Sequence, residues 1–246
     1  QTLWRAAALC DCAHPFAALG GDVAMEKLRI DIVSDVVCPW CIIGYKQVEK
    51  ALMLLPDPVE AEIHWHPFEL NPDMPSEGED AGQHIARKYG QSADQTKAVR
   101  ERIKDTAAAL GFTFGDMGAR RLYNTFDAHK LLTRAGAEYG WQKQTELKLA
   151  FFAAYFQQGK DVSDRSVLLD VAESIGLDRT ACEAWLADET LAREVRGEES
   201  YWINENVAGV PAIIFDGKYM VPGAQSAETF AQVIGKVLAK RDQATA

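Results

Sequence analysis

Residues 35–44 read D-V-V-C-P-W-C-I-I-G and place two thiols, Cys38 and Cys41, three positions apart around Pro39 and Trp40. Three kinds of site share that spacing: a redox dithiol, half of a metal centre, and two packed core cysteines. A dithiol works best with its first sulfur at a helix N-terminus. There, unpaired N–H groups and the positive end of the helix dipole favour thiolate over thiol. Thiolate is the reactive form, so Cys38 is expected to be an exposed nucleophile of low pKa. Cys41, one turn further on and more buried, would attack the mixed disulfide formed at Cys38. A tetrahedral zinc site would need further ligands, for which Cys10-x-Cys12 and His64-x-His66 are the candidates.

The elements flanking the pair are those a dithiol needs. K-L-R-I-D-I-V-S (27–34) alternates apolar and polar residues and predicts a strand. After Cys41, apolar residues recur at helical spacing until Pro56, and Pro39 suits the first turn of that helix. Residues 60–65 alternate again. Pro67, Pro72 and Pro75 then impose a loop. From about 80 to 205 the spacing is helical, with Phe126, Phe151, Phe152, Tyr155 and Phe156 read as core and His129 as structural. Ser163 is expected to cap a helix running to Ile175. Strand character returns at 210–215, Asp216-Gly217 signals a hairpin to 218–221, and 226–239 closes as a helix.

The order β–α–β, then helices, then β–β–α predicts an α/β domain split by an all-helical insertion. Its boundaries are read as 25–75 and 206–246, with the insertion at 76–205. Residues 1–24, rich in alanine and without sustained periodicity, read as a leader outside the fold.

Composition narrows the function. The net charge is −10 and there is no long basic run, which disfavours nucleic acid and anionic membrane surfaces as partners. The cysteine count of five is odd and scattered, unlike a secreted disulfide framework, so a cytoplasmic location is expected. No motif implies a bound metal or cofactor. An apolar insertion face is compatible with a homodimer.

Val210-Pro211 opens the later strand. Such a proline is either simply tolerated there or marks a cis bond that frees the backbone of Val210 to pair with an incoming peptide. V-C-P-W-C, P-F-E-L-N-P (67–72), A-Y-F-x-x-G-x-D-V-S-D (154–164) and the G-V-P…G-A-Q stretch (209–225) together resemble the DsbA family, closest to its FrnE-like branch. The resemblance covers roughly 26–240. It implies a thioredoxin fold with a helical insertion over the site, and dithiol–disulfide exchange with protein or small-molecule thiols. It makes Cys38 the nucleophile, Cys41 the resolving cysteine, Pro211 the cis-proline facing them, and Pro39 and Trp40 the dipeptide that tunes potential.

An indole supplies no positive charge, so Trp40 implies a weaker oxidant than the strongly oxidising periplasmic members. The carboxylate that many thioredoxin-like proteins bury six residues before the first cysteine is replaced here by Ile32. Glu69 is read as a surface loop acid in its stead. Related glutathione-dependent isomerases and kappa-class transferases use serine where Cys38 stands, and they form the alternative reading. Glutathione as a co-substrate would then pair with Val210 and be held by Gln225 and Ser226, unless Ser226 is only a helix cap.

Overall fold

The computed structural model describes residues 26–75, 77–90, 92–116 and 120–245. The proposed leader and Cys10-x-Cys12 therefore lie outside the described residues. β1 (Glu26–Ser34), β2 (Val59–Pro67), β5 (Ala212–Phe215) and β6 (Tyr219–Pro222) form one sheet in the order β2-β1-β5-β6. β1 and β2 are parallel, joined by α1 (Pro39–Met53); β5 runs antiparallel to β1 and forms a hairpin with β6. Asp216 and Gly217 both take positive φ in that hairpin, as an Asp-Gly turn requires. α8 (Ala227–Thr245) closes the chain against α1. Split β–α–β and β–β–α halves around one sheet make the thioredoxin fold that the resemblance implies.

Between the halves lie α2 (Ala81–Tyr89), α3 (Ala93–Ala108), α4 (Phe126–Phe152), α5 (Arg165–Ser174), α6 (Arg179–Ala187) and α7 (Glu189–Asn204). α4 bends at Gly140, whose φ of 86° breaks the helical backbone, and ends in a π-helical turn at Ala153–Gln157. Four of these helices start at an aspartate cap: Asp80, Asp164, Asp178 and Asp188. Asp164, rather than the expected Ser163, accepts from Ser166 N at the start of α5, while Ser163 donates its hydroxyl to Asp161. Either residue type caps a helix well, so sequence could not choose between them.

β2 is an edge strand, and α4 seals it. Gln144 accepts from Trp65 N at 2.9 Å and donates to Trp65 O at 2.9 Å, standing in for a neighbouring strand. Thr145 accepts from the Trp65 indole N–H at 3.0 Å. The apolar side chains of α4, including Leu131, Leu147, Phe151 and Phe152, are continuous with the sheet-and-α1 core through Ile32, Ile42 and Trp65. On the opposite sheet face, Asp31 sits between Arg29 and His66, and His66 Nδ1 lies 2.5 Å from Glu198 of α7. Burial pushes the Asp31 carboxyl up, but bonds from His66 and Arg29 outweigh this and hold it at about 2.

Two short strands missed in the sequence, β3 (Glu79–Asp80) and β4 (Arg121–Leu122), clip the start of α2 to the segment before α4. Two residues show no readable period. Gly78 enters this clip at φ 67°, and a Cβ there would stand 2.4 Å from the Leu122 carbonyl oxygen. Gly78→Ala is therefore expected to lower stability by at least about 2 kcal/mol, read as a lower urea midpoint at unchanged slope.

Candidate active site

Asp35 starts the corner. It leaves β1, and Cys38 N donates to its carbonyl at 3.2 Å while Val37 N approaches its carboxylate at 3.4 Å. This turn delivers Cys38 to the N-cap of α1 in an extended conformation (φ −88°, ψ 113°), with Pro39 as the first helical residue. Cys38 and Cys41 are both free thiols. Cys41 is fully buried, as expected; Cys38 is also only 3% exposed rather than open to solvent. The reason is the lid formed by the helical insertion, so Cys38 meets the outside only through a cleft that it shares with Pro39, Trp40 and Val210.

The later strand closes on the same point. The Val210–Pro211 bond is cis, and the Cys38 thiol donates to the Val210 carbonyl at 3.6 Å. α1 can approach this segment because Gly44 has no side chain: a Cβ there would stand 3.0 Å from Pro211 Cγ. Thus Cys38, Cys41, Pro39, Trp40, Val210 and Pro211 converge from two distant parts of the chain. Gln225 and Ser226 do not line this cleft. Gln225 donates to Pro222 O at 2.8 Å, and Ser226 Oγ accepts from Thr229 N at 3.2 Å as the cap of α8.

Beneath the thiols is a charged cluster that sequence did not reveal as one. Lys148 of α4 is fully buried, and its Nζ has no hydrogen-bond partner among the described residues. It rests over the rings of Trp65 and Phe152 at 5.3 and 5.2 Å. Burial pushes its ammonium down to about 8, against the opposing pull of Cys41, Asp35 and Cys38. Burial likewise pushes the Cys41 thiol well up; the neighbouring Cys38 sulfur adds to this, and Lys148 opposes it.

Asp35, also buried, accepts from Leu70 N at 2.8 Å and lies 3.6 Å from His129 Nε2. Burial raises its carboxyl, but His129, the Leu70 N–H and Lys148 more than offset this and hold it below its usual range. His129 therefore faces the site from α4, and a carboxylate does lie under the cysteines. It comes from position 35 rather than from position 32. Glu69, read as a surface acid, has a side chain only 3% exposed and pairs with Arg196. Asn124 donates to it at 3.0 Å.

A lysine between Leu147 and Leu149, inside the apolar run L-K-L-A-F-F, was the readable sign of a buried cation. Among the described residues no group of three or more His, Cys, Asp or Glu could hold a metal. His64-x-His66 divides accordingly, with His66 engaged by Asp31 and Glu198. No helix is long and apolar enough to cross a membrane, among the described residues.

A family model for the DSBA-like thioredoxin domain matches residues 29–235. The chain belongs to that family. A crystal structure of the probable DsbA oxidoreductase SCO1869 from Streptomyces coelicolor is 32% identical, with a TM-score of 0.79, covering 86% of this chain and 90% of its own. The uncharacterised protein YwbO of Bacillus subtilis (strain 168) is 25% identical over 212 residues, 84% of this chain and 96% of that protein. A 2-hydroxychromene-2-carboxylate isomerase structure shares the fold at 17% identity and a TM-score of 0.63, covering 89% of this chain and 100% of its own. In this DSBA-like chain the fold is thus that of an oxidoreductase family, and the convergence of two thiols with Val210 and Pro211 lies within the matched region.

Proposed function

We propose that the chain is a dithiol–disulfide oxidoreductase of the FrnE-like branch, exchanging electrons with protein or small-molecule disulfides through Cys38 and Cys41. The observation that carries this is the pair of free thiols at the start of α1, one against the Val210 carbonyl, the other buried above Lys148. The Cys38 thiolate attacks one sulfur of a substrate disulfide; that S–S bond breaks and the far sulfur leaves as thiolate. Cys41 then loses its proton to the Lys148 amine and attacks Cys38 Sγ. The mixed disulfide breaks, the second substrate sulfur leaves as thiolate, and Cys38–Cys41 becomes a disulfide. The substrate gains two electrons and the protein loses two. Two molecules of a small thiol such as glutathione, running the steps backwards and leaving joined as their disulfide, restore the dithiol.

In this reading Pro211 shapes the floor on which substrate lies, and Val210 offers backbone to it. The protein works in the cytoplasm, and 76–205 is a helical domain inserted into a redox domain of 25–75 and 206–246. Trp40 supplies no charge of its own, but the Arg102 guanidinium lies over its ring at 5.4 Å. We retain the expectation of an oxidant weaker than the family's extreme of about −120 mV.

The test is insulin reduction and oxidative refolding by the wild type beside turnover of a glutathione conjugate. Disulfide exchange lost in Cys38→Ser supports the oxidoreductase. A wild type inert toward disulfides, with Cys38→Ser fully active on the conjugate, would instead establish the isomerase or transferase class.

A further inference from the structure

The cleft that opens onto Cys38 holds about 420 Å³, the scale of a small-molecule site. Its lining includes Lys88, Arg100, Arg102 and Arg120 and, among the described residues, not a single aspartate or glutamate. That is unexpected in a chain with 36 acidic and 26 basic residues. Several arginines elsewhere are neutralised: Arg87 by Glu79, Arg165 by Asp127, Arg179 by Asp170 and Arg196 by Glu69.

Among the described residues none of the four cleft cations is in an ion pair. Among the described residues Lys88 donates only to Leu70 O and Asn71 Oδ1. Arg102 lies over Trp40, inside the C-P-W-C motif. Arg120 stacks on Tyr155 and Phe156 at 5.3 and 5.0 Å, and its Nε and Nη1 are shut off from solvent without an acceptor among the described residues. Guanidinium N–H groups left without an acceptor are costly unless a ligand supplies one, and a carboxylate matches their fork.

We infer that this cleft selects small thiols and disulfides that carry carboxylates, with Arg100, Arg102, Arg120 and Lys88 as the specificity-determining cations. The inference rests on the oxidoreductase reading for its substrate chemistry, and on the cleft alone for its charge preference. Reaction follows the exchange already written: the sulfur goes to Cys38 while the carboxylates face the α3 side of the cleft. The apolar remainder of the lining, including Ile85, Val99 and Ile103, accommodates the carbon chain.

Three disulfides of similar size separate the charge effect from the chemistry: 3,3′-dithiodipropionate, 2-hydroxyethyl disulfide and cystamine. The expected order of kcat/KM is anionic, then neutral, then cationic. In Arg100→Gln/Arg102→Gln the anionic-to-neutral ratio should fall about fivefold or more, the effect of removing two partly exposed charges. In the wild type the same ratio should shrink as salt is raised from about 0.02 to about 0.5 M, because the screening length falls from about 20 Å to about 4 Å.

A thioether that cannot exchange, 3,3′-thiodipropionate, is titrated in parallel by calorimetry. Binding that weakens in the double variant supports the cleft's preference whether or not any disulfide turns over. If no disulfide reacts but this binding persists, the oxidoreductase reading fails and the anion preference stands. An anionic-to-neutral ratio unmoved by the variant and by salt, or a thioether that binds both proteins equally or neither, would overturn the inference.

Discussion

Cys38→Ser is expected to lose disulfide exchange by about 10³-fold or more, because the atom that forms the covalent intermediate is gone. Cys41→Ser should fail differently. Cys38 still attacks, yet no second thiol follows, so a stoichiometric mixed disulfide should accumulate and be visible as a mass increase equal to half the substrate. The asymmetry follows from position. Cys38 lines the cleft against the Val210 carbonyl, whereas Cys41 is fully buried one turn along α1. Equal reactivity of the two variants toward a disulfide, or a mixed disulfide found on Cys41, would reverse these roles. Cys182 is a third free thiol, but burial pushes it up to about 11 and it packs within the helical insertion, so its removal should leave exchange intact.

The second large effect concerns Lys148. If its amine takes the Cys41 proton, Lys148→Met should slow release of the mixed disulfide by about 10²-fold, the usual contribution of a positioned base. The wild-type release rate should rise with pH through about 8, where the amine becomes neutral, and flatten above it. In the reverse direction Cys41 leaves and needs a proton, so that rate should fall above about 8. Lys148→Met should lose both inflections while attack at Cys38 persists.

Stability should move the opposite way. The lysine's folded value of about 8 lies below its ordinary 10.5, so the unfolded chain binds its proton more tightly. The penalty is therefore full below pH 8, shrinks between 8 and 10.5, and vanishes above. The penalty is on the order of a few kcal/mol, and methionine removes it. A variant that is slower yet more stable would separate a proton-transfer role from a packing role. Lys148→Arg, which keeps the charge but not the titration, should not restore the release step.

Much of this site was legible in sequence, for reasons that are local. Alternation in 27–34 and 60–65, the helical spacing after Cys41 and the Asp-Gly turn at 216–217 each depend on a few adjacent residues, and the structure realises all of them. The parts that were not legible depend on tertiary contact. Asp35 looked like any acid near a turn until α4 brought His129 and Lys148 over it. Glu69 looked like a loop acid because its partner Arg196 is 127 residues away. Exposure of Cys38 was overestimated because nothing in D-V-V-C-P-W-C reports that α2 and α3 stand over it. The four cleft cations are spread over residues 88–120, and no charge run announces them. Only the fold shows that the cleft they line carries no aspartate or glutamate among the described residues.

In the proposed reaction Cys38 and Cys41 form one reversible two-electron couple. Equilibrating the protein over a range of reduced-to-oxidised glutathione ratios, trapping it in acid, alkylating it unfolded in denaturant and reading each cysteine by mass spectrometry tests this couple. Cys38 and Cys41 are expected to lose alkylation together in a single transition, at a potential more reducing than about −120 mV, with Cys182 alkylated throughout. Cys38 and Cys41 remaining fully alkylated at every ratio would contradict it.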